Sequence, residues 1–140
     1  MKIADLTDLE LLRGTLRLEA EGEPFIGKIA IVCVIKNRVE DKRWPNTIRG
    51  VILQPKQFSC FNNIELDKDL VGKHILTFTE CYWSKMWWRE CQIAAFGGIY
   101  NYYSDITNGA NHYHTKTVNP SWSRGKEPCF EIGNHIFFKL

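Results

Sequence analysis

The segment "LRLEAEGEPFIGKIAIVCVIKNR", residues 16–38, sets three carboxylates, Glu19, Glu21 and Glu23, against the start of a long apolar run. Upstream of it, Thr7-Asp8-Leu9-Glu10 fits a capping box, in which the Thr7 hydroxyl satisfies a free amide and Glu10 reaches back. Leu9, Leu12 and Leu16 recur at helical spacing, so a first helix is expected to run to Glu19 or Ala20 with its apolar face inward. Gly22 supplies its stop. Pro24 disfavours helical geometry at Glu23 and suits a first helical turn, so a second helix is expected from there through Lys36 to Val39. From Ile29 to Ile35 it has almost no polar face, the composition of a central helix covered by other elements.

Further along, Pro45-Asn46-Thr47 starts a short helix through Val51, which Gln54-Pro55 ends. "KQFSCFNN" reads as an extended polar and aromatic loop. "TFTECYWSKMWWRECQIAAF", residues 77–96, has helix length, with Gly97-Gly98 as its terminator and Phe78, Cys81, Tyr82, Met86 and Cys91 as a buried face. "CFEIGNHIFFKL" ends the chain as a strand candidate with Ile132, Ile136 and Phe138 on one parity. The pattern predicts an α+β fold: a mostly helical single domain over residues 1–140 with two or three short strands late in the chain.

Composition agrees, since 140 residues with 44% hydrophobic and 24% charged content suffice for one core but not two. A net charge of +2 is too small to argue for nucleic acid as a partner. No uncharged run approaches the ~20 residues of a membrane span, and the N-terminus lacks an apolar core followed by a small-residue cleavage site. Synthesis in the cytoplasm without a signal peptide is the expectation. The five cysteines are odd in number and scattered without C-x-x-C pairs, which reads as free thiols.

The three carboxylates separate by position. Glu23, just before Pro24, sits where a helix dipole favours an anion, and Glu21 lies in the turn as a solvated acid. Glu19 differs, because the C-terminal dipole of the first helix and an apolar neighbourhood both disfavour its charge. Burial there would keep the carboxyl protonated near neutral pH, as general-acid cleavage of a glycosidic bond requires.

Five blocks in order resemble a known family, the cell-wall hydrolases of the spore-cortex-lytic enzyme type, whose members include germination enzymes and phage endolysins. They are "EAEGEPFIGKIAIVCVIKNR", "WPNTIRGVILQPKQFS", "DITNGANHYH", "PSW" and "IGNHIFF". The resemblance implies a lysozyme-like domain that cleaves the glycan strands of peptidoglycan, with Glu19, the first Glu of the E-A-x-G-E block, as the catalytic acid. It also implies a non-hydrolytic lytic transglycosylase route giving a 1,6-anhydromuramic acid product. No cofactor is implied, and the domain is expected to act as a monomer on the wall after release from the cell that makes it.

Around Glu19, the candidate substrate-binding residues are Gln57, Phe58, Thr107, His112, Tyr113, His114 and Trp122. Gln57 and Phe58 read equally well as an amide and an apolar face offered to a sugar, or as a solvated amide beside a packed ring. Asp105 reads more readily as an Asx turn to Thr107 than as a second acid, and His135 as a partly buried histidine. A hydrolytic muramidase or glucosaminidase stays open through Glu21, Glu23 or Asp105. A different rival is a zinc-dependent wall amidase, with His112 and His114 at i, i+2 on one strand face and His135 or an acid as third ligand. A sugar-binding module without catalysis would account for the 13% aromatic content but not for a Glu where two buried helices meet.

Overall fold

The computed structural model describes residues 3–54 and 85–140. Helix α1 (Asp8–Ala20) begins with the capping box: the Thr7 hydroxyl accepts the Glu10 amide at 3.1 Å, and the Glu10 carboxylate accepts the Thr7 amide at 3.3 Å. α2 (Phe25–Glu40) follows, and α3 (Ile48–Leu53) is capped by the Thr47 hydroxyl, which accepts from Gly50. α4 (Met86–Ile99) packs on both α1 and α2. Three short strands close the chain: β1 (His112–Thr115), β2 (Phe130–Ile132) and β3 (His135–Phe138), in the antiparallel order β1-β3-β2.

α2 is the central helix its composition predicts. Ala30, Ile31, Val32, Val34 and Ile35 are all fully buried, between α1, α3 and α4. The polar end of α2 performs a second task. Arg38 Nε donates to the Asn111 carbonyl at 2.7 Å and Asn37 Nδ2 to the Ala110 carbonyl at 2.9 Å, so two adjacent side chains fix the segment that enters β1. The sheet is thereby held against the helical layer at a definite height.

α4 departs from expectation in two ways. Gly97 and Gly98 lie inside the helix rather than ending it, because Gly98 is a contact point: a Cβ there would come within 2.3 Å of Val32 Cγ1 and 3.0 Å of the Tyr103 hydroxyl. These glycines let two helices approach closely instead of releasing the chain. The buried face is also rotated. Trp88, Cys91, Ala94 and Ala95 face the core, whereas Met86 is exposed; the expected positions at residues 77–84 lie outside the described residues.

The C-terminal strand candidate is a hairpin. Gly133 takes a left-handed conformation (φ 57°), and with Asn134 it makes a two-residue turn between Ile132 and His135, which pair across it. The turn breaks the expected parity. Ile132 shares its face with His135, while Ile136 pairs with Glu131 on the opposite side. Cys33 and Cys91 are buried and Cys129 half-buried, all three as free thiols; burial pushes Cys33 up to about 11 and Cys91 up to about 12, away from the thiolate form. Cys60 and Cys81 lie outside the described residues. No helix among the described residues is long and apolar enough to cross a membrane.

Candidate active site

The last turn of α1, the Glu21–Glu23 turn and the β2–β3 hairpin enclose an open cleft of about 490 Å³. All three carboxylates of the opening segment line it, opposite Thr115, Asn134 and His135. Their circumstances differ.

Glu19 is half-buried rather than buried, and its Oε2 accepts a hydrogen bond from the Tyr113 hydroxyl at 3.2 Å. The capped α1 brings it to the cleft from one side and β1 brings Tyr113 from the other. Glu21, the C-cap residue of α1, is exposed at the rim.

Glu23 is the unexpected one. Its side chain is only 7% exposed, and its carboxylate is fully engaged: Oε1 accepts the Asn134 amide at 2.8 Å and lies 3.1 Å from His135 Nδ1, while Oε2 accepts Asn134 Nδ2 at 3.1 Å. A Cβ on Gly133 would fall 2.9 Å from Pro24 Cδ and 3.0 Å from Glu23 Oε1, so the hairpin turn sits directly on the Glu23-Pro24 step. The helix-dipole account of Glu23 is therefore too small. It is a buried pin that joins the helical layer to the sheet and sets the width of the cleft. Burial holds His135 below the usual histidine range, against the opposing pull of Glu23 and Glu19 and with a smaller push in the same direction from His114.

Of the remaining candidates, Tyr113 hydrogen-bonds to Glu19, while His112, His114 and Trp122 lie on the other side of the sheet. Pairing of β1 with β3 puts Tyr113 on the face of Phe137, with the Tyr113 ring also 5.1 Å from His135, edge to face. His112 and His114 point to the opposite face, where both rings contact Trp122, at 5.1 and 5.4 Å. His112 is held below the usual range by burial and by the charges of Arg38 and Arg43. None of these three lines the Glu19 cleft, and Tyr113 meets it only through its hydrogen bond to Glu19.

Thr107 lies inside the fold and not on the wall of the Glu19 cleft. It is fully buried, and its hydroxyl donates to Asp105 Oδ1 at 2.6 Å while accepting the Ala110 amide. Asp105 makes the expected Asx turn with the Thr107 amide at 2.8 Å and also accepts from Gly109 and Asn37. Partial burial pushes its carboxyl up, but those hydrogen bonds outweigh it and leave Asp105 below its usual range. Gln57 and Phe58 lie outside the described residues.

The zinc set with His135 as third ligand is not assembled, because the strand register puts His135 across the sheet from His112 and His114. Among the described residues no cluster of three metal-ligating side chains occurs. Asn134 and Thr115 are cleft residues that sequence patterning missed. Only a turn signal marked Asn134, and nothing marked Thr115.

A helix-borne glutamate facing a small antiparallel sheet across an open cleft defines a lysozyme-like α+β domain. The chain belongs to the cell wall hydrolase family, whose model, described as Cell Wall Hydrolase, matches residues 22–138. That match begins beyond Glu19 and so does not bear on it. The chain is 27% identical over 132 residues to a spore cortex-lytic enzyme of Bacillus cereus, covering 94% of this chain and 44% of the relative. It is 28% identical over 130 residues to that of Bacillus subtilis, covering 93% of this chain and 37% of the relative. It therefore spans less than half the length of these relatives. Among solved structures, the catalytic domain of the Bacillus cereus SleB protein superposes with a TM-score of 0.69 at 27% identity, covering 94% and 89% of the two chains. The catalytic domain of a germination-specific lytic transglycosylase, SleB from Bacillus anthracis, does so with 0.70 at 28%, covering 94% and 93%.

Proposed function

We propose that this domain cleaves the glycan strands of peptidoglycan as a lytic transglycosylase, with Glu19 as general acid and then general base. The observation that carries this is the division of labour among the cleft carboxylates. Glu19 is half-buried at the cleft and held by one hydroxyl, whereas Glu23 is buried with both oxygens bonded to Asn134 and Glu21 stands at the rim.

Hydrolysis with retention or inversion ordinarily needs a second carboxylate, ~5–5.5 Å or ~6.5–9.5 Å from the first. A single acid suffices when the nucleophile belongs to the substrate. Glu19 protonates the leaving glycosidic oxygen, and the resulting carboxylate takes the proton of the muramic acid 6-hydroxyl as that oxygen closes on its own anomeric carbon. One C–O bond breaks, one forms, and Glu19 ends protonated as it began. The internal hydroxyl has a high effective concentration, so no water-activating base is needed. Tyr113, donating to Oε2, keeps the carboxyl in one rotamer.

The relatives named for spore cortex lysis and for lytic transglycosylation support this assignment. The partner is the peptidoglycan strand of the cell wall, on which the domain acts as a monomer.

Digestion of purified peptidoglycan in heavy-oxygen water tests the reaction. A transglycosylase incorporates no label and yields anhydromuramic ends, one water lighter than the hydrolytic product. Label at muramic acid would overturn it and turn attention to Glu21 as base. Free peptide with intact glycan would favour the amidase instead.

A further inference from the structure

A second cavity, also of about 490 Å³, lies between the C-terminal half of α2 and the 100–105 segment and shares no lining residue with the Glu19 cleft. Its walls carry neutral amides and hydroxyls together with one cation and two carboxylates: Asn37, Asn101, Ser104, Lys36, Glu40 and Asp105. Lys36 donates to Asn101, whose backbone is in the left-handed region (φ 57°), while among the described residues the Ser104 hydroxyl and the Glu40 carboxylate make no side-chain hydrogen bond or ion pair. Hydrogen-bonding capacity is therefore left over at this wall.

Beside it stands a shelf of exposed rings. Phe96, Tyr100 and Tyr102 are 41%, 60% and 75% exposed, and they hold one another in place, with Phe96–Tyr100 centroids 4.6 Å apart. Phe96 and Tyr102 stack at 5.8 Å with only 15° between planes, so Tyr102 lies against Phe96 on one face while the ring stays largely in water. Exposed apolar surface of this kind, next to a polar recess, marks a binding site. An aromatic face beside amides and hydroxyls suits a sugar: the ring covers the C–H face of the pyranose, and the polar groups meet its rim of hydroxyls. A groove for an apolar peptide would lack the polar wall, and one for nucleic acid would need more cations than Lys36.

We propose that the Phe96–Tyr100–Tyr102 shelf and the adjoining cavity form an auxiliary saccharide site that holds a stretch of glycan strand away from the cleavage cleft. This rests on peptidoglycan being the substrate. A second contact on the same polymer raises the local concentration of glycan without new chemistry at Glu19.

The test is co-sedimentation with purified insoluble peptidoglycan, in a Glu19→Gln background so that the polymer stays intact, comparing Tyr100→Ala/Tyr102→Ala with the unaltered shelf. Binding is expected to weaken about tenfold. In the active background, the same pair should lose lysis of insoluble wall but keep cleavage of short soluble glycan fragments within about twofold. Tyr102→Phe, which keeps the ring, should retain most binding, and an unchanged melting temperature excludes misfolding as the cause. Undiminished binding of the Ala pair would overturn the proposal, as would an equal loss on short fragments, which would make the shelf part of the catalytic path. Failure of the catalytic assignment is seen separately, as lysis that survives Glu19→Gln while the tyrosine variants still lose wall binding.

Discussion

The two faces of the small sheet carry opposite kinds of residue from one tetrapeptide, His112-Tyr113-His114-Thr115. Tyr113 faces the helical layer and meets Glu19, with His135 and Phe137 beside it. His112 and His114 face away and pack around Trp122. Adjacent strand residues alternate sides, so a cluster that looks like one site in sequence is divided between a cleft and a supporting aromatic layer. The catalytic consequence is that substitutions one residue apart should differ sharply in effect.

The largest expected effect is at Glu19. Glu19→Gln keeps the shape and removes the titrating proton, so wall lysis should fall about 10²-fold or more while the melting curve is preserved. Lysis retained within about threefold would remove Glu19 from the reaction.

Tyr113→Phe deletes only the hydroxyl donated to Glu19. A drop in turnover of about tenfold is expected, with little change in stability. His114→Asn, on the other face, should leave turnover within about threefold; a loss as large as that of Tyr113→Phe would erase the distinction between the faces.

Glu23→Gln addresses the hinge between the layers. Replacing a buried carboxylate that accepts from Asn134 and faces His135 should cost roughly 1–3 kcal/mol in denaturant unfolding. Activity should fall only as far as the cleft loosens, so a folded variant at full stability would mean the pin carries nothing.

Acidification tests the same junction with the opposite approach. The folded state resists protonating His135, so the unfolded chain binds more protons below its pKa of about 6.5 and stability falls as pH drops from 7 towards 5. His112, also held low, has the same sign. Asp105 acts in a lower window: its depressed carboxyl supports the fold above about pH 4, and that support is lost only as pH falls through the folded value. His135→Gln should therefore flatten part of the pH 5–7 slope in melting temperature and leave the steeper acid limb unchanged.

The smallest expected effect is that of chelation. With His135 on the other face from His112 and His114, exhaustive chelation should leave lysis unchanged. Loss restored by zinc would revive the amidase.

Much of the helical layer was legible in the residues themselves, because its signals are local. A capping box, a proline step and an apolar run act within a few positions of where they stand, which is why α1, α2 and α3 fall where expected. Glu19 stands out as a candidate through its place in the last turn of α1 and the resemblance of its E-A-x-G-E block, both properties of the segment. Three things had to wait for the tertiary structure. Gly97 and Gly98 carry the pattern of a helix stop, yet Gly98 serves the approach of Val32, a residue 66 positions away. Glu23 has the look of a dipole partner until the hairpin turn arrives over it and buries it. Which histidine shares a face with Tyr113 depends on strand register, and register is set by the Gly133-Asn134 turn together with the Arg38 and Asn37 bonds to the segment before β1. Local chemistry selects the elements and marks Glu19 as the candidate acid. Contacts between residues far apart in the chain decide which other side chains reach that acid, because burial and register exist only once the layers have met.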